Sequence, residues 1–329
     1  MNYGGPERAE DCEEYIRNIF LDPDLIPIPN FIRPMLARYV GKRRAPSLQK
    51  NYEAMGQYSP ILGQTTAQAR ALEASLGEGF RCLVGMRYWN PFIEEVCCAI
   101  RTGGFRRVVL LPLYPQESHS TTGSSVNEAR RCLKEVGYAG EIFAVRSFWE
   151  EPGYLEALAG GVSKALAGAP DAARVLFSAH GLPLSVARRD PYPGQIAGTV
   201  AEVAKRLGIA LEPMTPIGTA SHLFPQHSTF SSPVSRRGAL AWQSKVGPAK
   251  WLEPSVEHTL EAWAREGVKD LVLVPVAFVS EHSETLYELD VLYGGMAREL
   301  GMTVLRVPTV QVHPAFIGAL AQKVRAAFP

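Results

Sequence analysis

Histidine and glutamate gather where short apolar runs end. His180 follows Val175-Leu176-Phe177 and precedes Gly181, while His282, Glu284 and Glu288 follow the run Leu271–Val279. An imidazole takes up or releases a proton near neutral pH, and a carboxylate offsets an arriving positive charge. If Glu284–Leu292 is helical, Glu284 and Glu288 share a face, where they could raise a pKa, bind a cation or pass one inward. Plainer readings stand beside these: a lone histidine at a strand end is often a satisfied structural residue, and acidic residues at a helix start suit the macrodipole. Imidazole with carboxylate suits Fe2+ or Zn2+ better than Mg2+. His180, Glu284 and Glu288 are too few for a closed structural site, which takes four ligands, so a metal handled in passing is the better fit.

The elements that must position these groups alternate. Apolar runs at Cys82–Tyr88, Val108–Tyr114, Glu141–Phe148, Val175–His180, Ala239–Val246, Leu271–Val279 and Thr303–Val307 predict strands. Between them, Pro91–Arg101, Ser124–Val136, Tyr154–Leu166, Gln195–Leu207, Ser255–Glu266 and Glu284–Leu300 carry helical spacing. This alternation predicts an α/β fold with mainly parallel sheets. Gly104-Phe105-Arg106-Arg107-Val108-Val109-Leu110-Leu111-Pro112-Leu113 aligns with Gly267-Val268-Lys269-Asp270-Leu271-Val272-Leu273-Val274-Pro275-Val276, roughly half the chain away. Two similar lobes are expected, residues 1–150 and 151–329, with a cleft between them and the last helix packing back on the first lobe. Ligands of such sheets bind beyond the carboxyl ends of the strands. There the chain places Arg87, the loop from Tyr114 to Ser118, His180–Pro183 and Ser280–Glu284.

Composition narrows the function. The chain has 329 residues, 46% of them hydrophobic, enough to bury a substantial core. Lys and Arg number 34 against 33 Asp and Glu, so there is no broad basic field and nucleic-acid binding is not expected. No apolar run reaches the roughly 18 residues of a membrane-spanning helix, and residues 1–14 are acidic without a signal-peptide core, so a cytoplasmic location is expected. The 5 cysteines form no C-x-x-C pair and read as reduced thiols. G-x-x-x-x-G-K-[ST], G-x-S-x-G and G-x-G-x-x-G patterns are all missing, which removes the usual nucleotide and hydrolase readings. The segment Phe20–Tyr39, dense in Ile, Leu, Phe, Met and Pro, runs into Lys42-Arg43-Arg44. It reads either as a core helix followed by a solvated charge run, or as an exposed apolar lip for a flat hydrophobic ligand or a membrane surface.

Taken together, the motifs resemble those of the ferrochelatases, enzymes that insert ferrous iron into a porphyrin. They are NYGGPE at Asn2–Glu7, GKRRAP at Gly41–Pro46, SPI at Ser59–Ile61, LYPQ at Leu113–Gln116 and STTGSS at Ser120–Ser125. Further on come FSAHGLP at Phe177–Pro183, DPYP at Asp190–Pro193, WQSKVGPAKWLEP at Trp242–Pro254 and VPVAFVSEHSETLYELD at Val274–Asp290. They keep the family's order and span nearly the whole chain.

The resemblance implies two Rossmann-like lobes with the porphyrin held in the cleft. It implies His180 as proton acceptor or iron ligand, Glu284 as the opposing carboxylate, His282 as a supporting histidine and Glu288 on an iron or proton path. It also implies Tyr3, Arg87, Tyr114, Ser118, Trp251 and Phe278 as porphyrin-facing or supporting residues, and the lip, about 20–45, as part of the pocket. Protoporphyrin IX is the expected substrate and Fe2+ the second one. No tightly bound cofactor is expected, and no iron–sulfur cluster, since no cysteine-bearing tail follows Pro329. A monomer is expected, with peripheral contact at the inner face of a membrane. The expected chemistry uses a neutral His180 with a pKa near neutrality.

The chain also departs from the family pattern. Only Met1 and Asn2 precede the Tyr-Gly-Gly-Pro, where the family runs several apolar residues, so a core strand of the first lobe is expected to be mostly absent or its start to lie upstream. Thr219–Arg237 reads as an inserted surface loop whose His222 and His227 are alternative metal ligands. Glu117 replaces an aromatic, and Leu292 interrupts an acidic row. The competing readings are a chelatase for coproporphyrin III or another tetrapyrrole, and a two-lobed binder that holds haem or metal without turnover.

Overall fold

A computed structural model describes residues 1–213 and 236–328. The chain divides into two compact units, one made of Met1–Phe148 with Ile317–Pro329, the other of Trp149–Phe316.

The first unit runs α1 (Asp11–Leu21), α2 (Arg33–Met55), α3 (Ile61–Leu76), α4 (Ile93–Thr102), β1 (Arg107–Leu110), a π-helical turn (His119–Gly123), α5 (Ser124–Glu135) and β2 (Glu141–Ala144). β1 and β2 pair in parallel, Arg107 opposite Glu141 and Leu110 opposite Ala144. Parallel neighbours need a crossover, and α5 supplies it. Its residues Val126, Ala129, Cys132 and Leu133 recur at helical spacing and pack with Ile93 and Cys97 of α4. Burial pushes the thiols of Cys97 and Cys132 up to about 11 and about 12, so neither is a thiolate at neutral pH. All five cysteines are free.

Two expectations change here. Cys82–Tyr88 forms no strand; Met86 makes single bridges to Asn2 and Phe92. A strand persists only where a neighbour pairs with it, and residues 1–3 provide that neighbour only from Gly85 onward, through Asn2 N to Gly85 O (3.2 Å), Arg87 N to Asn2 O (2.8 Å) and Tyr88 N to Tyr3 O (2.9 Å). In the segment Phe20–Tyr39, the core-helix reading fails at its carboxyl half. Phe31, Met35 and Tyr39, one helical turn apart, are 83%, 72% and 61% exposed, and Lys42, Arg43 and Arg44 beside them face solvent.

In the second unit the order is α6 (Pro152–Ala167), β3 (Arg174–His180), α7 (Leu184–Ala187), α8 (Tyr192–Leu207), β4 (Ala210–Leu211), β5 (Arg237–Gln243), α9 (Val256–Arg265), β6 (Asp270–Pro275), α10 (Ser283–Thr285), a π-helix (Leu286–Tyr293), α11 (Gly294–Glu299) and β7 (Thr303–Arg306). α12 (Pro314–Ala326) follows, and from Ile317 it belongs to the first unit. The strands form one parallel sheet in the order β4-β5-β3-β6-β7. β3 and β6 sit inside it and are buried almost end to end, which is why their sequences are continuous Val and Leu runs rather than alternating ones. Leu176, Leu271 and Leu273 pack with Leu260 and Trp263 of α9 and with Leu289 and Tyr293 of the π-helix. Since the strands are parallel, β3, β5 and β6 deliver His180, Gln243 and Pro275 to the same edge of the sheet.

Glu284–Leu300 is therefore not one α-helix. Over Leu286–Tyr293 the turns are widened to i→i+5 bonding, and Gly294 permits it: a Cβ there would lie 2.9 Å from the Leu289 carbonyl oxygen. Most of the expected loop Thr219–Arg237, including His222 and His227, lies outside the described residues.

Candidate active site

His180 is the last residue of β3, and its imidazole Nδ1 stands 2.8 Å from Glu284 Oε2. Three devices fix it there. Gly181 N donates to the Gln243 carbonyl at 2.9 Å, and a Cβ on Gly181 would come within 3.0 Å of that oxygen, so glycine lets β5 close on the end of β3. Tyr192 Oη donates to the His180 carbonyl at 3.1 Å. Glu284 is held in turn by the Gln243 amide, whose Nε2 donates to the Glu284 carbonyl at 2.8 Å, while Ser178 Oγ donates to Gln243 Oε1 at 2.7 Å.

Glu288 is the third member. Ser244 Oγ and Gln243 Nε2 donate to its carboxylate at 2.6 and 3.1 Å. Burial and the Glu284 charge push it up to about 7 despite those donors. Burial disfavours the His180 imidazolium, but the adjacent Glu284 carboxylate outweighs it and the net shift is upward. Glu284 moves the other way, below the usual carboxylate range, because His180 offsets its burial. The resting pair is an imidazolium and a carboxylate. The expectation of a neutral imidazole with a near-neutral pKa is thus replaced, because the expected partner carboxylate lies close enough to hold the proton on His180.

His282 begins the short α10, with its ring edge-on to Phe278 at 4.8 Å between centroids. Burial holds its imidazole below the ordinary value against the pull of Glu284 and Glu281, and its Nδ1 has no hydrogen-bond partner among the described residues. The preceding residue anchors the loop: buried Glu281 accepts from Arg306 Nη1 at 2.7 Å and from Thr309 N at 2.9 Å, and Arg306 also grips Asp290 at 2.8 and 3.0 Å. Trp251 is placed by Leu184 N to Lys250 O (2.8 Å) and Leu252 N to Leu182 O (3.0 Å); its indole Nε1 has no partner among the described residues.

The expected residues of the first unit form a second constellation. Tyr3 packs edge-on against Tyr88 and Tyr114, at 4.9 and 5.7 Å between centroids. Tyr114 lies 3.4 Å from Ser125 Oγ, and burial raises its phenol. Arg87 is committed inward, with Nη2 3.0 Å from Asp22 and Nε donating to Ser124 Oγ at 2.8 Å. Asp22 also accepts from Tyr88 Oη at 2.6 Å and from Ser124. Ser118 is buried and caps the π-helical turn through Ser120 N. Glu117, which stands in place of the family's aromatic, pairs with Arg146.

Sequence reasoning passed over Ser178, Tyr192, Gln243 and Ser244, although each lies inside a quoted motif, and it missed Asp22 and Arg306. Among the described residues no group of three or more His, Cys, Asp and Glu side chains assembles as a metal cluster, so His180, Glu284 and Glu288 do not form one closed ligand set. What the arrangement offers is a paired base and carboxylate, 38% and 29% exposed, with a carboxyl near neutrality bonded through the same glutamine.

The family model for ferrochelatase matches residues 1–328. A ferrochelatase of Geobacter metallireducens is 41% identical, the match covering 99% of this chain and 96% of the relative. One from Aquifex aeolicus is 38% identical, over 99% and 97%. Among solved structures, SirB from Bacillus subtilis with Fe3+ shares the fold at a TM-score of 0.56 and 12% identity, covering 80% of this chain and 88% of that one. The motifs, the parallel architecture and these full-length matches agree, and the chain belongs to the ferrochelatase family.

Proposed function

We propose that this member of the family, a porphyrin metallo-chelatase of haem biosynthesis, inserts Fe2+ into protoporphyrin IX, with His180, Glu284 and Glu288 handling the two displaced protons. The observation that carries this reading is the 2.8 Å contact of His180 with Glu284 at the carboxyl end of a central strand. Metallation must remove two pyrrole protons and strip water from the metal. Fe2+ approaching the pair competes with the proton on His180 and favours the neutral imidazole. Glu288 is the nearby group whose affinity for a proton is matched to neutral pH, so it is assigned the released proton. The freed imidazole then accepts one pyrrole proton while Glu284 offsets the metal's charge, and once Glu288 has released its proton to solvent it takes up the second pyrrole proton. His282, kept neutral by burial, serves as a supporting donor atom for the incoming ion.

Half-buried Tyr3, Tyr114, Trp251 and Phe278 supply aromatic surface for the ring. Arg87 and Ser118 act through their neighbours and are positioning residues in this reading. The apolar lip of Phe31, Met35 and Tyr39 favours protoporphyrin IX, which carries two propionates, over coproporphyrin III, which carries four. With Lys42, Arg43 and Arg44 beside it, the lip is also assigned to peripheral contact with an anionic bilayer at the cytoplasmic face. No helix among the described residues is long and apolar enough to cross a membrane.

Anaerobic metallation followed by absorbance, with the two porphyrins in parallel, tests the substrate. Faster repeated turnover of protoporphyrin IX is expected; preference for coproporphyrin III would overturn the assignment.

A further inference from the structure

In the parallel sheet of the second unit, alternation puts Leu176 of β3, Ala239 and Ala241 of β5, and Leu271 and Leu273 of β6 on one face, packed on α9 and the π-helix. Ser178 falls on the same face, two residues after Leu176, with Ala241 and Pro275 opposite it on the flanking strands. It is 0% exposed. A hydroxyl buried in an apolar face costs free energy unless it is bonded, and alanine would serve the packing equally well. The same face ends in His180 and Gln243, which stand opposite each other where β3 and β5 finish.

The bonds around Gln243 leave one choice of donor at each step. The Glu284 carbonyl can only accept, so the Gln243 atom 2.8 Å from it is the amide nitrogen, whatever the charge on Glu288. The amide oxygen then faces Ser178, and at 2.7 Å the hydroxyl must donate to it. The second hydrogen of the amide nitrogen is left for Oε2 of Glu288, 3.1 Å away. Ser244 Oγ donates to that same oxygen at 2.6 Å. Oε2 therefore accepts two bonds, and neither reaches Oε1. A carboxyl group held in this way has unlike oxygens, one committed as an acceptor and the other open to a proton.

Without the Ser178 hydroxyl, the amide oxygen of Gln243, a residue only 1% exposed, would be buried and unbonded. Turning the amide would not relieve it, because its oxygen would then meet the Glu284 carbonyl and the Glu288 carboxylate. One hydroxyl thus decides how both glutamates are held.

We propose, resting on the reading of Glu288 as a proton carrier, that Ser178 is a positioning residue for iron insertion: by fixing the Gln243 amide it holds Glu284 and Glu288 in one arrangement and reserves Oε1 of Glu288 as the oxygen that takes and gives the proton. An N–H bond of the macrocycle breaks as the O–H bond forms at Oε1, the proton later leaves from Oε1 to solvent, and nothing is oxidised or reduced.

Ser178→Ala deletes the donor without adding bulk, Ser178→Thr keeps it, and Ser178→Cys keeps a weak donor should the threonine methyl crowd the strand. Infrared spectra of the full chain, without porphyrin or iron and well above neutral pH, give the two C–O stretches of the ionised Glu288 carboxylate, assigned by their loss in Glu288→Gln. Unlike oxygens split these bands widely. The alanine variant is expected to narrow the splitting and the threonine variant to restore it. In anaerobic metallation the alanine variant is expected to lose about tenfold or more in kcat, with KM for the porphyrin held within about twofold, and threonine to recover most of that loss.

An unchanged splitting in Ser178→Ala would overturn the proposal, and so would a loss of turnover that neither threonine nor cysteine relieves. A lower Tm with kcat per folded molecule within about twofold of the parent would reduce Ser178 to a packing residue. A narrowed splitting with unchanged kcat would leave the hydrogen-bond lock standing but overturn its part in the reaction, and the assignment of Glu288 as proton carrier with it.

Discussion

Two clusters in this protein pair a cation with a carboxylate, and they are built differently. In the first unit Asp22 is fully buried and is surrounded by Arg87, Tyr88 and Ser124, with the Arg87 side chain only 11% exposed. In the second unit His180 and Glu284 are 2.8 Å apart, yet both keep partial contact with solvent, and Glu288 beside them is pushed up to about 7. A buried network with every member satisfied is rigid and inert. An open pair whose proton affinities have been moved, next to a third group left undecided, can exchange protons with a ligand. The same residue types thus give a scaffold in one unit and chemistry in the other.

Substitutions can break that contrast, beginning with the largest effect. Asp22→Asn strips Arg87 of its counter-charge inside the first unit and should destabilise the fold by about 3–5 kcal/mol, measured by denaturant unfolding, with a far smaller change in turnover per folded molecule. Glu284→Gln should do the reverse. Turnover falls by roughly 100-fold or more, stability changes by about 1 kcal/mol because the pair keeps partial contact with solvent, and the His180 imidazole, followed by NMR, titrates at lower pH.

Glu288→Gln gives a smaller effect with a definite sign. Its raised pKa means that the folded chain binds a proton that the unfolded chain releases between the ordinary value of 4.5 and about 7, so ionisation there lowers stability as pH rises. The glutamine variant should therefore gain roughly 1–2 kcal/mol relative to the parent at pH 8 compared with pH 4. The His180–Glu284 pair contributes between two limits: its contribution is lost as pH falls through the depressed Glu284 value, the sign opposite to Glu288, and as pH rises through the raised His180 value, the same sign. Replacing Phe31 and Met35 with serine is the mildest change. Stability should stay within about 0.5 kcal/mol, and the effect should appear in KM for the porphyrin and in sedimentation with anionic vesicles.

Much of the second unit was legible because its central strands β3 and β6 are nearly continuous buried apolar runs, and β5 and β7 also lie where shorter apolar runs put them. His180 and Glu284 were legible for the same reason, since each follows such a run. The first unit was harder to read. Cys82–Tyr88 has a strand's composition, but strand formation depends on a neighbour that composition does not reveal. The π-helix was hidden because Leu286–Tyr293 carries ordinary helical residues, and the widening depends on Gly294 meeting a backbone carbonyl. The raised His180 pKa could not be read from residue types, because it depends on a distance. Asp22 escaped notice because nothing local marks it; its partners are 65 or more residues away.

The account rests most heavily on His180 as the group that exchanges protons with the macrocycle. The most direct test is the anaerobic rate of iron insertion by His180→Ala, with porphyrin affinity measured on the same sample by fluorescence quenching. We predict a loss of about 100-fold or more in rate with the porphyrin Kd held within about threefold. Turnover within about tenfold of the parent would contradict it, and the pair with Glu284 would then be a structural contact like that of Asp22 with Arg87.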